Sequence, residues 1–222
     1  MNICLRYLGD PGYQQGIGQE LGVSQATVSR TVDRVVNSIV AQSNGWIKFP
    51  TTNHELMEAK RIWQSMYKFP TAIGVIDCTH IGILKPNRHG DEYIYRKGKP
   101  TLNVQATCDA REIFTSVDVS WPGSVHDSRI RRNSQTRSQL IHKANVVLLG
   151  DDGYGIEPCL ITLFRNLTPG VEINYSKLLK QEIVITERCF GQLKCRFPIP
   201  TVCLPRKVAK CAENNYCLYC TP

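Results

Sequence analysis

Two short apolar runs, each closed by an aspartate, restrict this chain more than any other feature: residues 72–77 (AIGVID) and 145–151 (NVVLLGD). Runs this short and rich in Val, Ile and Leu read as strands buried on both faces, the habit of parallel strands in an α/β sheet. TLNVQATCD and REIFTSVDVSW are β-rich, while DSRIRRNSQTRSQLIHK and KQEIVITERCFGQLKCRF carry helical patterning. Strands, a helix, a strand and a helix give an α/β layout over residues 71–200, with a sheet flanked by helices. In such sheets chemistry collects at the carboxyl ends of strands. Asp77 and Asp151 fall there.

Residues 1–45 have a different grammar. Ile17, Gly18, Leu21, Gly22, Val23, Val28 and Val32 follow helix-turn-helix logic: Gly18 allows close helix crossing, Gly22 supplies a positive φ and Val23 plugs the core. Ser24 is a natural N-cap for the second helix. Opposite its apolar stripe stand Gln25, Thr27, Ser29, Arg30 and Arg34, residue types that reach bases and phosphates in a major groove. A helical hairpin that only buttresses the next domain remains the alternative. Residues 46–70 read as a linker with one helix (HELMEAKRIWQSMY), and residues 201–222 as an irregular tail broken by prolines.

A chain of 222 residues can bury one sizeable core, and 42% hydrophobic with 21% charged residues argues against bulk disorder. No stretch approaches the roughly 20 apolar residues of a membrane span, and the first residues lack the apolar core of a secretory signal. The net charge is +8, and the excess peaks between residues 71 and 150. A basic protein with carboxylates at strand ends suits a polyanionic substrate with metal at the reaction centre; a surface kept basic for solubility is the other reading. Arg96 with Lys97, and Arg129, Arg131 and Arg132, are read as phosphate contacts rather than as a solvated face. Of ten cysteines, Cys203, Cys211, Cys217 and Cys220 crowd the tail, where zinc is an alternative that lacks paired spacing.

A third carboxylate, Glu187, lies in the last helical pattern, with thirty-five residues between it and Asp151. Three acids brought together require cations to offset their repulsion, and two divalent ions would clamp the attacking and leaving oxygens of a phosphodiester. Mg²⁺ or Mn²⁺ suits an all-oxygen donor set. Each residue also has a plainer reading: Asp151 as a helix cap, Glu187 as a solvated helix residue, Asp152 as a rival to Asp151. His126 and Asp127 in WPGSVHDSRI either orient a metal ligand from behind or are first-turn helix residues; the helix reading is preferred for Asp127, both stay open for His126, and Ser124 is read as the cap of that helix.

The motifs GVIDCTHIGI, YIYRKGKPTLNVQATCD, WPGSVHDSRI, VVLLGDDGY and ERCFGQLKCRF resemble, in order and character, those of the PIF/Harbinger transposases. The resemblance runs from about residue 13 to 200. It implies an RNase H-like core whose acidic triad is Asp77, Asp151 and Glu187, binding two divalent metal ions, and a helix-turn-helix ahead of it. It also implies DNA at transposon ends as substrate, a Myb-like DNA-binding partner protein, possible homo-oligomers, and a nuclear location dependent on that partner, with the cytoplasm otherwise.

The chain departs from that pattern in three places. Relatives begin further upstream with additional helices, so the helix-turn-helix segment is expected to be truncated. Ile183 stands where relatives carry a basic residue one turn before the glutamate. Pro198, Pro200 and Pro205 interrupt the tail. A relic that binds DNA or a Myb-like partner without cutting is therefore the alternative to a strand-transferring nuclease.

Overall fold

The computed structural model describes residues 1–10, 13–67, 69–163 and 171–198. Five helices come first: α1 (Asn2–Gly9), α2 (Gln14–Glu20), α3 (Gln25–Ala41), α4 (Ser43–Trp46) and α5 (Asn53–Met66). They are followed by β1 (Ala72–Gly82), β2 (Thr101–Cys108), β3 (Phe114–Pro122), α6 (Asp127–Asn133), α7 (Gln135–Leu140), β4 (Val147–Gly150), β5 (Leu160–Thr162) and α8 (Val171–Arg196). The four tail cysteines and the tail itself lie outside the described residues.

The sheet order is β3-β2-β1-β4-β5. β1, β2 and β3 form an antiparallel meander, and β4 and β5 add in parallel beyond β1. A mixed five-stranded sheet flanked by helices is the RNase H-like arrangement anticipated above. β5, only three residues long, carried too little pattern to be read in advance.

Side-chain alternation along the buried strands builds a core on each side. Val75 and Leu149 face the α8 side with Trp63, Leu179 and Ile185. Ile76 and Leu148 face the other side with Leu140, Tyr154 and Leu160. The predicted single helix after β3 is two, because Ser134 ends α6 with extended backbone and caps α7 through Arg137 N.

α2 and α3 are joined by a short turn, and the backbone at Gly18 and Gly22 places the demands expected of those positions. Gly22 has φ +65°, and a side chain at Gly18 would come within 2.7 Å of the Val23 carbonyl oxygen. Ser24 caps α3 by accepting from Thr27 N at 3.2 Å. The apolar stripe of α3 does not close on its own hairpin. Val28, Val32 and Val36 share one cluster with Cys4 and Leu8 of α1 and with Ile81, Leu102 and Val119 of the sheet. α5 starts with a capping box in which Thr52 and Glu55 bond reciprocally. It is tied to α8 by a buried hydrogen bond from Trp63 Nε1 to Glu182 Oε2 at 2.8 Å.

A core shared between the first helices and the sheet should unfold as a unit. Leu102→Ala, at a position 4% exposed within that shared cluster, should cost about 2–5 kcal/mol. It should move a single urea transition seen identically by far-UV circular dichroism and tryptophan fluorescence. Two separated transitions would instead mean that the helices and the sheet fold independently.

Candidate active site

The parallel ladder pairs Val75 with Leu149 and Ile76 with Gly150. The next residue on each strand is an aspartate, so Asp77 and Asp151 leave the ladder side by side. Asp151 ends its strand as expected. Asp77 does not: β1 continues to Gly82 in its antiparallel pairing with β2, and Asp77 marks where the parallel partner stops.

Asp77 is half-buried, and its Oδ1 accepts from the Cys78 N–H at 2.7 Å. Burial is the main force pushing its pKa up, to about 7, and the charges of Asp151, Asp127 and Glu187 add to the effect. Asp151 is raised too, first by burial and then by Asp127 and Asp152. Its Oδ1 accepts from Gly153 N at 3.1 Å, and His126 works in the opposite direction. Glu187 is exposed on α8, with its charge reaching Asp77 from across the sheet face.

A cation sits on the same face. Lys194, two turns after Glu187 on α8, donates through Nζ to Thr79 Oγ1. Burial lowers its pKa while the nearby Asp77 charge raises it. Ile183, at the place where a basic residue was looked for, is 6% exposed and part of the core, so Lys194 is the basic group this helix turns toward the acids. The seven-residue step from Glu187 to Lys194 was readable as one helical face.

The other anticipated residues divide. His126 is exposed and caps α6 by accepting from Ser128 N at 3.3 Å, a task assigned above to Ser124. Arg131 is a correction. It is 1% exposed, donates to Thr136 Oγ1 at 3.0 Å and Cys159 Sγ at 3.2 Å, and lies 3.6 Å from the Glu157 carboxylate. It joins α6 to the β4–β5 connection and is unavailable to phosphate. Its neighbours Arg129 and Arg132 are exposed.

Arg96 and Lys97 are exposed at the tip of a hairpin closed by Tyr95 and Lys99. Tyr95 stacks on His80 of β1 with ring centroids 4.6 Å apart. On α3, Gln25, Arg30 and Arg34 are exposed, whereas Thr27 and Ser29 are half-buried. Thr27 Oγ1 is engaged with Ser24 Oγ at 2.9 Å, and Arg30 Nε donates to the Ala26 carbonyl at 3.2 Å.

Asp127 was underrated. Its Oδ1 accepts from Asn103 Nδ2 at 2.8 Å, and its charge is felt by Asp77, Asp151 and His80. An Asn, a residue depleted in strands, within the β-rich segment TLNVQ was the available signal for it.

The donor chemistry fits hard divalent cations: carboxylate oxygens alone, with the pKa values of Asp77 and Asp151 raised first by burial and then by neighbouring acids. Among the described residues no group of three His, Cys, Asp or Glu side chains is arranged to hold an ion. Asp77 and Asp151 each accept a backbone N–H through Oδ1, which leaves Oδ2 of each free of that bond.

A family model described as "DDE superfamily endonuclease" matches residues 76–220, a span holding all the carboxylates above. The mouse protein named "Putative nuclease HARBI1" is 31% identical over 196 residues, covering 87% of this chain and 56% of that protein. Its human counterpart is 30% identical over 197 residues with the same coverage. "Protein ALP1-like" of Arabidopsis thaliana is 24% identical over 216 residues, 89% of this chain and 52% of that protein. The chain thus spans about half the length of these relatives, and no solved structure matches it. With most of its length under that family model, and its acids gathered where two parallel strands part, the chain belongs to the DDE superfamily endonucleases.

Proposed function

We propose that this chain is a metal-dependent DNA endonuclease of the Harbinger transposase type, with Asp77, Asp151 and Glu187 as its acidic triad. The observation that carries this reading is the β1–β4 register, which sets Asp77 beside Asp151 on the face that α8 covers, with the Glu187 charge reaching Asp77. Asp77, Asp151 and Glu187 would hold two Mg²⁺ or Mn²⁺ ions through their carboxylate oxygens. When bound, the pair supplies an activated water and neutralises charge on the departing oxygen.

The protein's own groups do the rest. Lys194 holds a positive charge beside Asp77, suited to a non-bridging oxygen of the scissile phosphate. Arg96, Lys97, Arg129 and Arg132 draw in the flanking backbone, and Gln25, Arg30 and Arg34 of α3 face a groove. Cleavage leaving a 3′-hydroxyl that then attacks target DNA, action on transposon ends, assembly into homo-oligomers, and entry to the nucleus with a Myb-like partner complete the proposal. Among the described residues no helix is long and apolar enough to cross a membrane.

Nicking of element-end DNA in the presence of Mn²⁺ and the Myb-like partner tests the reading. Asp77→Asn should lower nicking by at least about a hundredfold, beyond what loss of an outer partner costs, and leave DNA affinity unchanged. Equal cutting by both proteins would remove the triad assignment. DNA binding with no Mn²⁺-dependent nicking by the unaltered chain would favour a relic that binds without cutting.

The raised pKa of Asp77 adds a pH signature. An acid whose folded pKa exceeds its unfolded value stabilises the fold fully only below the unfolded pKa, and that contribution is lost as pH rises through the folded one. The metal-free chain should therefore lose stability relative to Asp77→Asn between pH 3.8 and about 7. The gap should grow to roughly 2–4 kcal/mol. Added Mn²⁺ should close it at pH 8, and Mn²⁺ affinity should climb with pH until about 7. Denaturant melts of the two proteins at several pH values give the comparison; parallel pH profiles would contradict it.

A further inference from the structure

We propose that Tyr154 is the positioning residue that sets the opening between Asp77 and Asp151, and through it the size of cation the pair accepts. The inference rests on the nuclease reading above and extends it to a side chain in the core behind the acids.

The β1–β4 ladder ends at Ile76 and Gly150, one residue short of both acids. Sheet hydrogen bonds between these strands therefore lead to the site without spanning it. Asp77 stays anchored on its other side, where it pairs with Ala106 of β2. Asp151 has left the sheet, since β4 ends at Gly150, and enters a turn in which Tyr154 N donates to the Asp151 carbonyl at 3.4 Å.

Tyr154 crosses the gap from behind. Its ring lies against Gly150, where an added methyl group would come within 3.1 Å of Tyr154 Cδ2. Its hydroxyl reaches β1, where Oη and Cys78 Sγ are 3.1 Å apart. Cys78 is the residue whose N–H is donated to Asp77 Oδ1. One side chain thus packs on the residue before Asp151 and bonds the residue after Asp77.

Packing alone does not ask for a tyrosine here. Tyr154 is 1% exposed in a cluster with Ile76, Leu148 and Leu160, a setting that phenylalanine fills without a hydroxyl to satisfy. The hydroxyl has a polar seat prepared for it. Gln105, buried on β2, directs Nε2 at Tyr154 Oη at 3.5 Å and at Cys78 Sγ at 3.8 Å. Burial raises the pKa values of both the phenol and the thiol, so the link keeps its protons where the acids lose theirs.

A spacer and a mere core residue make different demands on ion selectivity. Mg²⁺ needs near-ideal octahedral geometry at about 2.0–2.1 Å, whereas Ca²⁺ tolerates roughly 2.3–2.6 Å and irregular shells. A loosened pair of acids therefore loses Mg²⁺ before Ca²⁺. Calorimetric titration of the full chain with each ion, without DNA, should show Tyr154→Phe weakening Mg²⁺ binding about tenfold and Ca²⁺ binding much less. Cys78→Ala cuts the same link from the other end and should do the same, with the double variant no worse than either single one. Leu140→Val, a loss of packing in the same cluster, should lower the melting temperature and leave the ratio of the two affinities unchanged. If Asp77→Asn abolishes Mg²⁺ binding while Tyr154→Phe and Cys78→Ala keep the unaltered ratio, the spacer falls and the triad stands. The spacer also falls if Leu140→Val shifts the ratio as far as Tyr154→Phe does. If Asp77→Asn binds Mg²⁺ normally, the triad reading falls and this proposal falls with it.

Discussion

The register that buries two neighbouring carboxylates at the ends of paired strands, and will not let them separate, is the constraint on which the rest of this structure depends. Asp77 and Asp151 follow a paired Ile76 and Gly150, so their proximity is written into sheet register rather than into flexible side-chain choice. A one-residue slip would turn one of them to the opposite face and disrupt both cores. With Val75, Ile76, Leu148 and Leu149 all buried, such a slip is strongly opposed. The acids are held together by hydrophobic burial that has no stake in their chemistry, and hydrogen bonds from Cys78 N and Gly153 N offset part of the repulsion.

α8 is the second half of that arrangement. Its inward face is core: Leu179, Ile183, Ile185 and Cys189 are buried against the sheet and α5. The buried Trp63–Glu182 hydrogen bond fixes its rotation near the middle and Lys194–Thr79 near the C-terminal end. Between those two ties stands Glu187, exposed, on a helix whose position is already decided by its neighbours. A ligand on a rigid element is placed more accurately than one on a loop. Here much of the accuracy comes from the buried face of α8 and its bond to Trp63, away from the acids.

What could be read from the chain followed from periodicity. The two apolar runs, the α3 stripe and the terminal helical pattern each repeat a signal several times, and each became the expected element. The failures have single-residue causes. Arg131 looked like part of a basic surface because charge in a sequence says nothing about direction; it points inward to Glu157 and Cys159. Ser134 broke one helix into two through a local capping bond. Asp127 seemed an ordinary first-turn acid because its partner, Asn103, lies twenty-four residues earlier on another element. Lys194 was within reach of helical arithmetic, but its target, Thr79, belongs to a strand far away in sequence.

The cluster that joins Val28 and Val32 of α3 to Ile81 and Leu102 of the sheet has a geometric consequence. A recognition helix on a tether would sample many distances from the cutting centre, and the bond broken would vary accordingly. A helix cemented into the same core as the sheet cannot. Under the proposed function, duplex lying along α3 would be measured as by a ruler, the number of base pairs between the sequence touched and the bond presented to the acids being set by the width of a folded core.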